Sequence, residues 1–290
     1  MKKYIGFIGL GMMGKPMAQR LIDGGYQLIV FNRTKAKADE LIKQGVKWAD
    51  NPKSVIEQSD TVISMISTPE VLREIVLEKN GILQGASEGK THIDMSTVSP
   101  AIINHLKDIY QNKSINFLHA PVLGSVPNVI EGSLLIFVGG DEKIYRSHKE
   151  IFEVIGKRIW YFSEHTQAAH LKLACNSFIA NMIVTLSQGL LLTEKVGISP
   201  EVLLEVLNES TLNSIMYQTK GKSIAQENFV PRFITEHIFK DINLVIEAAE
   251  KLNLNLPTMP LMKQLFGEAI SEGFGKDDYS SVYKILRQRR

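Results

Sequence analysis

The sequence predicts an α/β domain with a mostly parallel sheet, followed by an all-α domain. In the first half, short runs rich in Ile, Val and Phe alternate with amphipathic stretches that end in glycine. A glycine-rich turn separates the first apolar run from the first amphipathic stretch. Near residue 165 the pattern changes, and long helical patterns replace the strand signals.

The predicted elements follow from these patterns. Two amphipathic stretches, "KPMAQRLIDGG" and "KAKADELIKQG", are predicted as helices that end at their glycines. The predicted strands are "KYIGFIGL", "YQLIVFN", "TVISMIS", "THIDMS", "INFLHAPV" and "LLIFVGG". The later helices are predicted at 166–196, 200–208, 236–253 and 258–272. We therefore place the domains at 1–163 and 164–290, with a boundary near Ser163 to His165.

Composition narrows the class of protein. The 290 residues are 44% hydrophobic and 22% charged, an ordinary globular balance. A net charge of +2 is too small to create a strong positive field that would attract nucleic acid or an anionic membrane surface. The single cysteine, Cys175, excludes an intrachain disulfide and favours a reducing, cytoplasmic setting.

No membrane segment is predicted. The opening "MKKYIGFIGLGMMG" has two lysines and an apolar run, as signal peptides do, but it is glycine-rich and lacks a small-residue cleavage site. The helical pattern around Lys172 carries several Asn, Ser, Thr and Gln residues within the length of a membrane span. That pattern is too polar for lipid.

The turn "GFIGLGMMGKPM" has Gly9, Gly11 and Gly14 in G-x-G-x-x-G spacing, between a strand and a helix. Gly9 permits the tight turn, Gly11 lets a pyrophosphate approach, and Gly14 allows close packing of the helix. We predict that this loop, including Met12 and Met13, binds a dinucleotide. The alternative is a glycine turn without a ligand.

The end of the second strand favours NADP (NADPH) over NAD. NAD sites usually carry an acidic residue there, whereas this chain reads "FNRTKAK". Asn32 replaces the carboxylate, and Arg33 and Thr34 are suited to a 2′-phosphate. Alternatively, these charges are solvated residues at the start of the next helix.

The run "HLKLACNSFIANMIV" contains one permanent charge, Lys172, in a helical pattern that is otherwise apolar or neutral. Asn176 lies four residues on, so both side chains share a helix face and can reach one substrate. An ionisable group in such surroundings suits acid–base chemistry. The alternative is a lysine whose stem packs along apolar surface, or that forms an ion pair, at the domain boundary.

Taken together, the motifs identify a resemblance over essentially the whole chain. The sequence resembles the β-hydroxyacid dehydrogenase family, which includes 3-hydroxyisobutyrate dehydrogenase and the glyoxylate and succinic semialdehyde reductases and is 6-phosphogluconate dehydrogenase-like. The ordered motifs are "GFIGLGMMGKPMAQRL", "DMST", "APVLGS" with "EGSLLIFVGG", "KLACN" and "FKD". The resemblance implies a Rossmann-type domain, a long interdomain helix and a helical domain that mediates assembly into a homodimer or homotetramer.

The resemblance also implies roles for individual residues. Lys172 matches the catalytic lysine and Asn176 the substrate-binding asparagine. Ser96 matches a substrate contact, although either Ser96 or Thr97 could instead cap the next helix. Lys240 matches a lysine near cofactor and substrate, or is a surface charge.

A second group of positions is assigned to the cofactor. Met65, Ile66 and Ser67 lie where the family's loop packs on the cofactor, but at a strand end they could equally be core. Thr97 is assigned to the cofactor as well. No metal ligands are predicted.

Two departures from the family pattern bear on the substrate. The usual "PVSGG" is here "PVLGS", so Leu123 replaces a serine that helps hold the substrate carboxylate. Gly124 and Ser125 could still offer backbone N–H groups to an anion. Thr166 and Ala168 stand where the family has two glycines before its lysine, which predicts that the helix either begins earlier or approaches the cofactor differently.

We therefore predict an NADP(H)-dependent oxidoreductase that interconverts a small hydroxy compound and its aldehyde or ketone. An alternative substrate class is larger apolar carbonyls or imines, although imine reductases generally lack the lysine. An alternative of another kind is a non-catalytic NADP-binding scaffold, which has no need for the Lys172–Asn176 pair.

Overall fold

The computed structural model describes residues 4–289, which form two compact units. The first unit ends at Lys172 and the second begins at Leu173.

The first unit is built on one nine-stranded sheet, and it contains all six predicted strands. The three strands not predicted are β3 (Lys47–Trp48), β7 (Val122–Leu123) and β9 (Gly156–Phe162). The first two are only two residues long, and in β9 the exposed Lys157 and Arg158 follow the first residue. The strands are β1 (Tyr4–Ile8), β2 (Gln27–Phe31), β3 (Lys47–Trp48), β4 (Thr61–Ser64), β5 (Thr91–Asp94), β6 (Asn116–His119), β7 (Val122–Leu123), β8 (Leu134–Gly140) and β9 (Gly156–Phe162).

The strand order is β3-β2-β1-β4-β5-β6-β8-β7, and β9 also pairs with β8. From β3 to β6 all neighbours are parallel, which confirms the predicted mostly parallel sheet. β8 runs antiparallel to β6 and β7. The order 3-2-1-4-5-6 is that of a doubly wound Rossmann sheet, whose ligands bind where the order reverses, here between β1 and β4.

Helices cover both faces of this sheet and enclose two hydrophobic cores. One core contains residues of α1 (Gly14–Asp23), α2 (Asp39–Lys43), α7 (Val126–Ile130) and α9 (Lys149–Ile155). The other contains residues of α3 (Pro52–Glu57), α4 (Pro69–Leu77), α5 (Ile82–Gly85) and α6 (Pro100–Asn112). Gly25 and Gly45 adopt φ of +85° and +92° just after α1 and α2, which confirms the predicted helix ends. The helices are α1 (Gly14–Asp23), α2 (Asp39–Lys43), α3 (Pro52–Glu57), α4 (Pro69–Leu77), α5 (Ile82–Gly85), α6 (Pro100–Asn112), α7 (Val126–Ile130), α8 (Glu142–Ser147) and α9 (Lys149–Ile155).

A long helix, α10 (His165–Lys195), continues from the first unit into the second. By length and composition alone it could cross a membrane, with a mean hydropathy of 1.3 over its most apolar window. The central helix of a water-soluble protein meets the same criterion, and 39% of that window is buried inside the protein.

The second unit is helical and packs around its own core. A helix is present in each of the four predicted segments, and two further helices occur, α12 (Ile215–Ala225) and α15 (Val282–Gln288). The predicted 258–272 helix ends at Ala269 and continues as a π-helical turn, Ile270–Phe274, within which Gly273 leaves the helical conformation with a φ of +88°. Besides the end of α10, the helices are α11 (Pro200–Glu209), α12 (Ile215–Ala225), α13 (Thr235–Lys251), α14 (Met259–Ala269) and α15 (Val282–Gln288).

Candidate cofactor and substrate sites

The sheet gathers the predicted cofactor residues of the first unit at its carboxyl edge. The glycine loop follows β1, Asn32–Thr34 follow β2, Met65–Ser67 follow β4, and Ser96 and Thr97 follow β5. These four strands are neighbours, and they include the point where the strand order reverses. The sequence assigned these segments separately, and the topology places them together.

The glycine loop has the geometry that a pyrophosphate requires. Gly9 has a φ of +98°, and a Cβ there would lie 2.2 Å from the Met65 carbonyl oxygen. A Cβ on Gly14 would lie 1.9 Å from the Gly9 oxygen, so neither position tolerates a side chain. A Cβ on Gly11 would meet nothing within 4 Å, which leaves that backbone open to a ligand. No side chain caps α1, so its N-terminus is suited to an anion.

In the segment after β2, one side chain is hydrogen-bonded to the glycine loop, and the residues that follow it are exposed cationic and polar groups. Asn32 Oδ1 accepts from the Leu10 N–H at 2.9 Å, and Asn32 Nδ2 donates to the Thr34 carbonyl at 2.9 Å. Asn32 therefore links this segment to the glycine loop. Arg33 and Thr34 are exposed, and no acidic residue occurs between Asn32 and Ala38. These residues fit a 2′-phosphate on the ribose.

Ser96 does not cap a helix, and neither does Thr97: the N-cap of α6 is Ser99, whose side chain accepts from the Ile102 N–H. The helix begins at Pro100 because proline favours the first helical position, so Ser99 occupies the cap. Ser96 is fully buried; its hydroxyl donates to Asp94 Oδ1 at 2.7 Å and accepts from the Ile66 N–H at 2.9 Å. The helix-cap alternative is therefore wrong.

Asp94 is the centre of a buried polar row across three strands. Ser64, Asp94 and His119 are the last residues of β4, β5 and β6, and they are direct partners in the sheet register. Asp94 Oδ1 accepts from the Ser64 hydroxyl at 2.7 Å, and Asp94 Oδ2 lies 3.1 Å from His119 Nδ1. Burial alone would raise the pKa of Asp94, but His119, with His92 and Ser64, outweighs it and holds that pKa below its usual range.

The row extends to His92 and Tyr110. Ser64 donates to Asp94, so it accepts from His92 Nε2 at 2.8 Å, and His92 Nδ1 then accepts from the Tyr110 hydroxyl at 2.7 Å. Burial lowers the pKa of His92 to about 4, so this histidine is neutral near pH 7. The hydrogen bonds thus run in one direction, from Tyr110 to the Asp94 carboxylate.

The "PVLGS" segment turns sharply between β7 and α7. Gly124 has a φ of +139°, and a Cβ there would lie 2.7 Å from Leu134 Cδ2, so glycine is required. Leu123 is half-buried. The Ser125 N–H donates to Asn128 Oδ1 at 2.9 Å. Our expectation that Ser125 offers its N–H to an anion is therefore wrong for this structure, because the capping box of α7 uses it.

Lys172 and Asn176 lie one turn apart on α10, and both are buried. The helix begins at His165, so Thr166 and Ala168 lie within its first turn. Lys172 is 8% exposed. A lysine ammonium group so far removed from water needs polar partners to offset its lost hydration.

In the second unit, Asn176 belongs to a buried polar cluster with α13. Asn176 Nδ2 donates to Asp241 Oδ2 at 2.6 Å. Lys240 Nζ lies 2.9 Å from Asp241 Oδ1, and the two side chains form an ion pair. The Lys240 side chain is 21% exposed, so Lys240 is partly buried beside this cluster.

Several residues of these sites had no predicted role. Asp94 and Asp241 lie within the quoted motifs "DMST" and "FKD", and His92 lies on β5. An acidic residue at the end of a buried strand is a signal that could have found Asp94. Among residues 4–289, no group of three or more His, Cys, Asp or Glu side chains is placed to hold a metal ion.

Both units match known protein families. The NAD binding domain of 6-phosphogluconate dehydrogenase matches residues 4–163, and the NAD-binding model of NADP-dependent 3-hydroxyisobutyrate dehydrogenase matches residues 166–286. Glyoxylate/succinic semialdehyde reductase 2, chloroplastic, of Arabidopsis thaliana is 34% identical over 283 residues, which cover 98% of this chain and 79% of that protein. Glyoxylate/succinic semialdehyde reductase 1 of the same plant is 32% identical and covers 99% of both chains.

A solved structure agrees with these matches. The 3-hydroxyisobutyrate dehydrogenase of Mycobacterium tuberculosis, solved with L-serine, superposes with a TM-score of 0.89 at 26% identity. The superposition covers 99% of this chain and 100% of that one.

Proposed function

We propose that this chain, which belongs to the β-hydroxyacid dehydrogenase family, uses NADP(H) as its cofactor and Lys172 as general acid and base. The family places it among the NAD(P)-dependent oxidoreductases that act on CH–OH groups. The reaction would interconvert a small hydroxy compound and its aldehyde or ketone. The observation that carries this proposal is a buried lysine one helical turn before an asparagine held by a buried aspartate.

The cofactor preference rests on the segment after β2. An exposed guanidinium and hydroxyl, at Arg33 and Thr34, would pair with a 2′-phosphate, and no carboxylate stands there to repel it. Gly9, Gly11 and Gly14 would hold the pyrophosphate against the N-terminus of α1. When bound, the nicotinamide supplies or accepts the hydride.

Lys172 would handle the proton. In reduction, its ammonium group donates a proton to the carbonyl oxygen as negative charge develops there. In oxidation, the neutral amine removes the hydroxyl proton. A positioned acid–base group of this kind contributes about 10²- to 10⁴-fold to the rate.

Asn176 would orient the substrate. Its amide cannot rotate freely, because Nδ2 is bound to Asp241 Oδ2 at 2.6 Å. Asp241 is itself fixed by the neighbouring Lys240 ammonium group. We propose that Asp241 thereby fixes the face that Asn176 presents to the substrate hydroxyl or carboxylate.

Leu123 bears on the choice of substrate. It replaces a hydroxyl with an isobutyl group, and the adjacent Ser125 N–H is used within α7. Both features would weaken the binding of a substrate carboxylate. We therefore propose that the enzyme accepts apolar aldehydes or ketones as well as small hydroxyacids. Imines are a second candidate class, which the retained Lys172 disfavours.

We also propose that the protein is at least a homodimer. Phe178 and Leu192 on α10 are 67% and 72% exposed, although they are large and apolar, and Val196, just beyond the helix, is 70% exposed. Apolar surface of this kind marks an interaction site, and a symmetric pair of chains would bury it. Sedimentation at micromolar concentration tests this, and a single monomeric species would contradict it.

The direct test of the function is a turnover screen. Small semialdehydes, 2-oxo acids and apolar aldehydes are supplied with NADPH, and oxidation of the cofactor is followed by absorbance. We expect turnover with at least one of these carbonyl classes. Turnover of none of them, or of imines alone, would contradict the proposal.

A further inference from the structure

We propose that Ser96, held by Asp94, is a positioning residue that fixes the Met65–Ile66 peptide against the glycine loop and so sets the shape of the dinucleotide site. The inference rests on the proposed function in one respect: it assumes that a dinucleotide binds at this loop. It assigns Ser96 a role on the cofactor side, distinct from contact with the substrate.

The Met65–Ile66 peptide is held on both of its sides. The Ile66 N–H donates to Ser96 Oγ at 2.9 Å. The Met65 carbonyl, on the opposite side of the same trans peptide, faces Gly9, where a Cβ would lie only 2.2 Å from that oxygen. Rotation of this peptide would break the bond to Ser96 or drive the oxygen towards the Gly9 backbone.

The loop is also joined to the strand that carries the glycine motif. The Met65 N–H donates to the carbonyl of Ile8, the last residue of β1, at 2.9 Å. Ile66 Cγ2 would lie 3.2 Å from a Cβ on Gly9. A shift of the loop therefore acts directly on the turn that would hold the pyrophosphate.

Asp94 determines how Ser96 meets this peptide. An ionised carboxylate only accepts hydrogen bonds, so the Ser96 hydroxyl must donate to Asp94 Oδ1 at 2.7 Å. Its remaining acceptor capacity then serves the Ile66 N–H. Ser96 is fully buried, so water does not compete for either bond.

Ser64 provides a matched comparison within the same network. Its hydroxyl also donates to Asp94 Oδ1 at 2.7 Å, and it is equally buried. Ser64, however, accepts from His92, whereas Ser96 accepts from the cofactor-side loop. Ser64→Ala and Ser96→Ala thus remove the same group from the same carboxylate oxygen, and only the second releases Ile66.

The experiment compares wild type, Ser96→Ala and Ser64→Ala without any substrate. The rate of hydrogen exchange at the Ile66 amide measures how firmly the Met65–Ile66 peptide is held. Titration with NADPH and NADH measures the affinity of the cofactor site for each dinucleotide. Ser96→Ala should speed exchange at Ile66 and weaken binding of the preferred dinucleotide, each by about tenfold, the equivalent of one hydrogen bond. Ser64→Ala should lower the melting temperature but change both readouts by less than about twofold.

Several results would overturn the inference. If Ser96→Ala and Ser64→Ala change the exchange rate and the dinucleotide affinity equally, the polar row around Asp94 only stabilises the fold. Weaker binding with unchanged exchange at Ile66 would mean that Ser96 contacts the dinucleotide directly. If Ser96→Ala does not fold, Ser96→Cys is used instead, because its thiol has a similar shape but is a weaker hydrogen-bond acceptor. The same exchange and titration measurements are then made on that variant. A wild type that binds neither dinucleotide would refute the proposed function, while the Ile66 exchange would still decide whether Ser96 holds the peptide.

Discussion

Asn176 Nδ2 donates to Asp241 Oδ2 at 2.6 Å, and both side chains are buried. This bond joins the long helix α10 to α13 and fixes the orientation of an amide that lies one turn after Lys172. Lys172 and Asn176 are four residues apart in sequence, and this hydrogen bond defines how the Asn176 amide is oriented on the helix that both share.

Asp241→Ala is expected to lower kcat/KM by about tenfold to a hundredfold, because it removes the charged acceptor of a buried hydrogen bond, which contributes roughly 1.5–3 kcal/mol. Binding of NADPH should change less than kcat. The matched control is Asn243→Ala on the same helix, which removes an amide bonded to the Phe239 carbonyl at 2.8 Å. Equal losses in the two variants would show that Asp241 acts through the stability of α13 rather than through Asn176.

Much of the first unit was predictable because its signals are local. Apolar runs of strand length, glycines at the helix ends and the G-x-G-x-x-G spacing each identify an element without knowledge of its neighbours. The six predicted strands and the glycine turn therefore appear where they were expected. The strands β3 and β7 were missed because two residues carry too little pattern.

The Asp94 row was not predictable for the opposite reason. Ser64 and Asp94 are 30 residues apart in sequence, and Asp94 and His119 are 25 apart. They meet only because the register of β4, β5 and β6 aligns the final residues of these strands. Hydrophobic periodicity defines the faces of a strand but not which residue of the next strand lies opposite. For the same reason the bond between Ser96 and Ile66 could not be predicted, although both residues had been singled out.

Arg33→Ala is expected to weaken NADPH binding by about 1.5–3 kcal/mol and to leave NADH binding nearly unchanged, because only NADPH carries the 2′-phosphate. Isothermal titration with both cofactors measures the two affinities. Lys43→Ala removes an exposed positive charge from α2 and controls for a general change in surface potential. A wild type that binds NADH as well as NADPH would refute the preference.

The buried His92 makes stability depend on pH. Its folded pKa of about 4 lies below the usual 6.5, so the unfolded chain takes up the proton first as pH falls. The free energy of unfolding should therefore fall between about pH 6.5 and pH 4, by up to roughly 3 kcal/mol from this group. The lowered pKa of Asp94 adds a further loss at lower pH, once the unfolded carboxylate protonates before the folded one.

Urea unfolding at pH 7, 6, 5 and 4 measures this dependence. His92→Gln keeps a donor for Ser64 and an acceptor for Tyr110 but does not titrate, so its stability should fall less steeply than that of the wild type. His105→Gln, at an exposed position on α6, should retain the wild-type slope. Parallel slopes for wild type and His92→Gln would contradict the assignment.

Leu123→Ser should raise kcat/KM for small hydroxy- or oxo-acids relative to apolar aldehydes by about two- to tenfold, since one neutral hydrogen bond is worth roughly 0.5–1.5 kcal/mol. Ile130→Ser, an equally drastic change at an exposed position of α7, controls for the loss of an apolar side chain. If the ratio of the two substrate classes does not change, residue 123 does not face the substrate.

The central claim is that Lys172 transfers the proton, and the most direct measurement is the turnover of Lys172→Ala together with its affinity for NADPH. We predict that kcat falls by at least about 10²-fold, the usual contribution of an acid–base group, while the dissociation constant for NADPH stays within about threefold. Lys195→Ala, an exposed lysine on the same helix, should match the wild type in both measurements. If Lys172→Ala keeps wild-type turnover, or loses NADPH binding in step with its activity, Lys172 is a structural residue and the proposed mechanism is wrong.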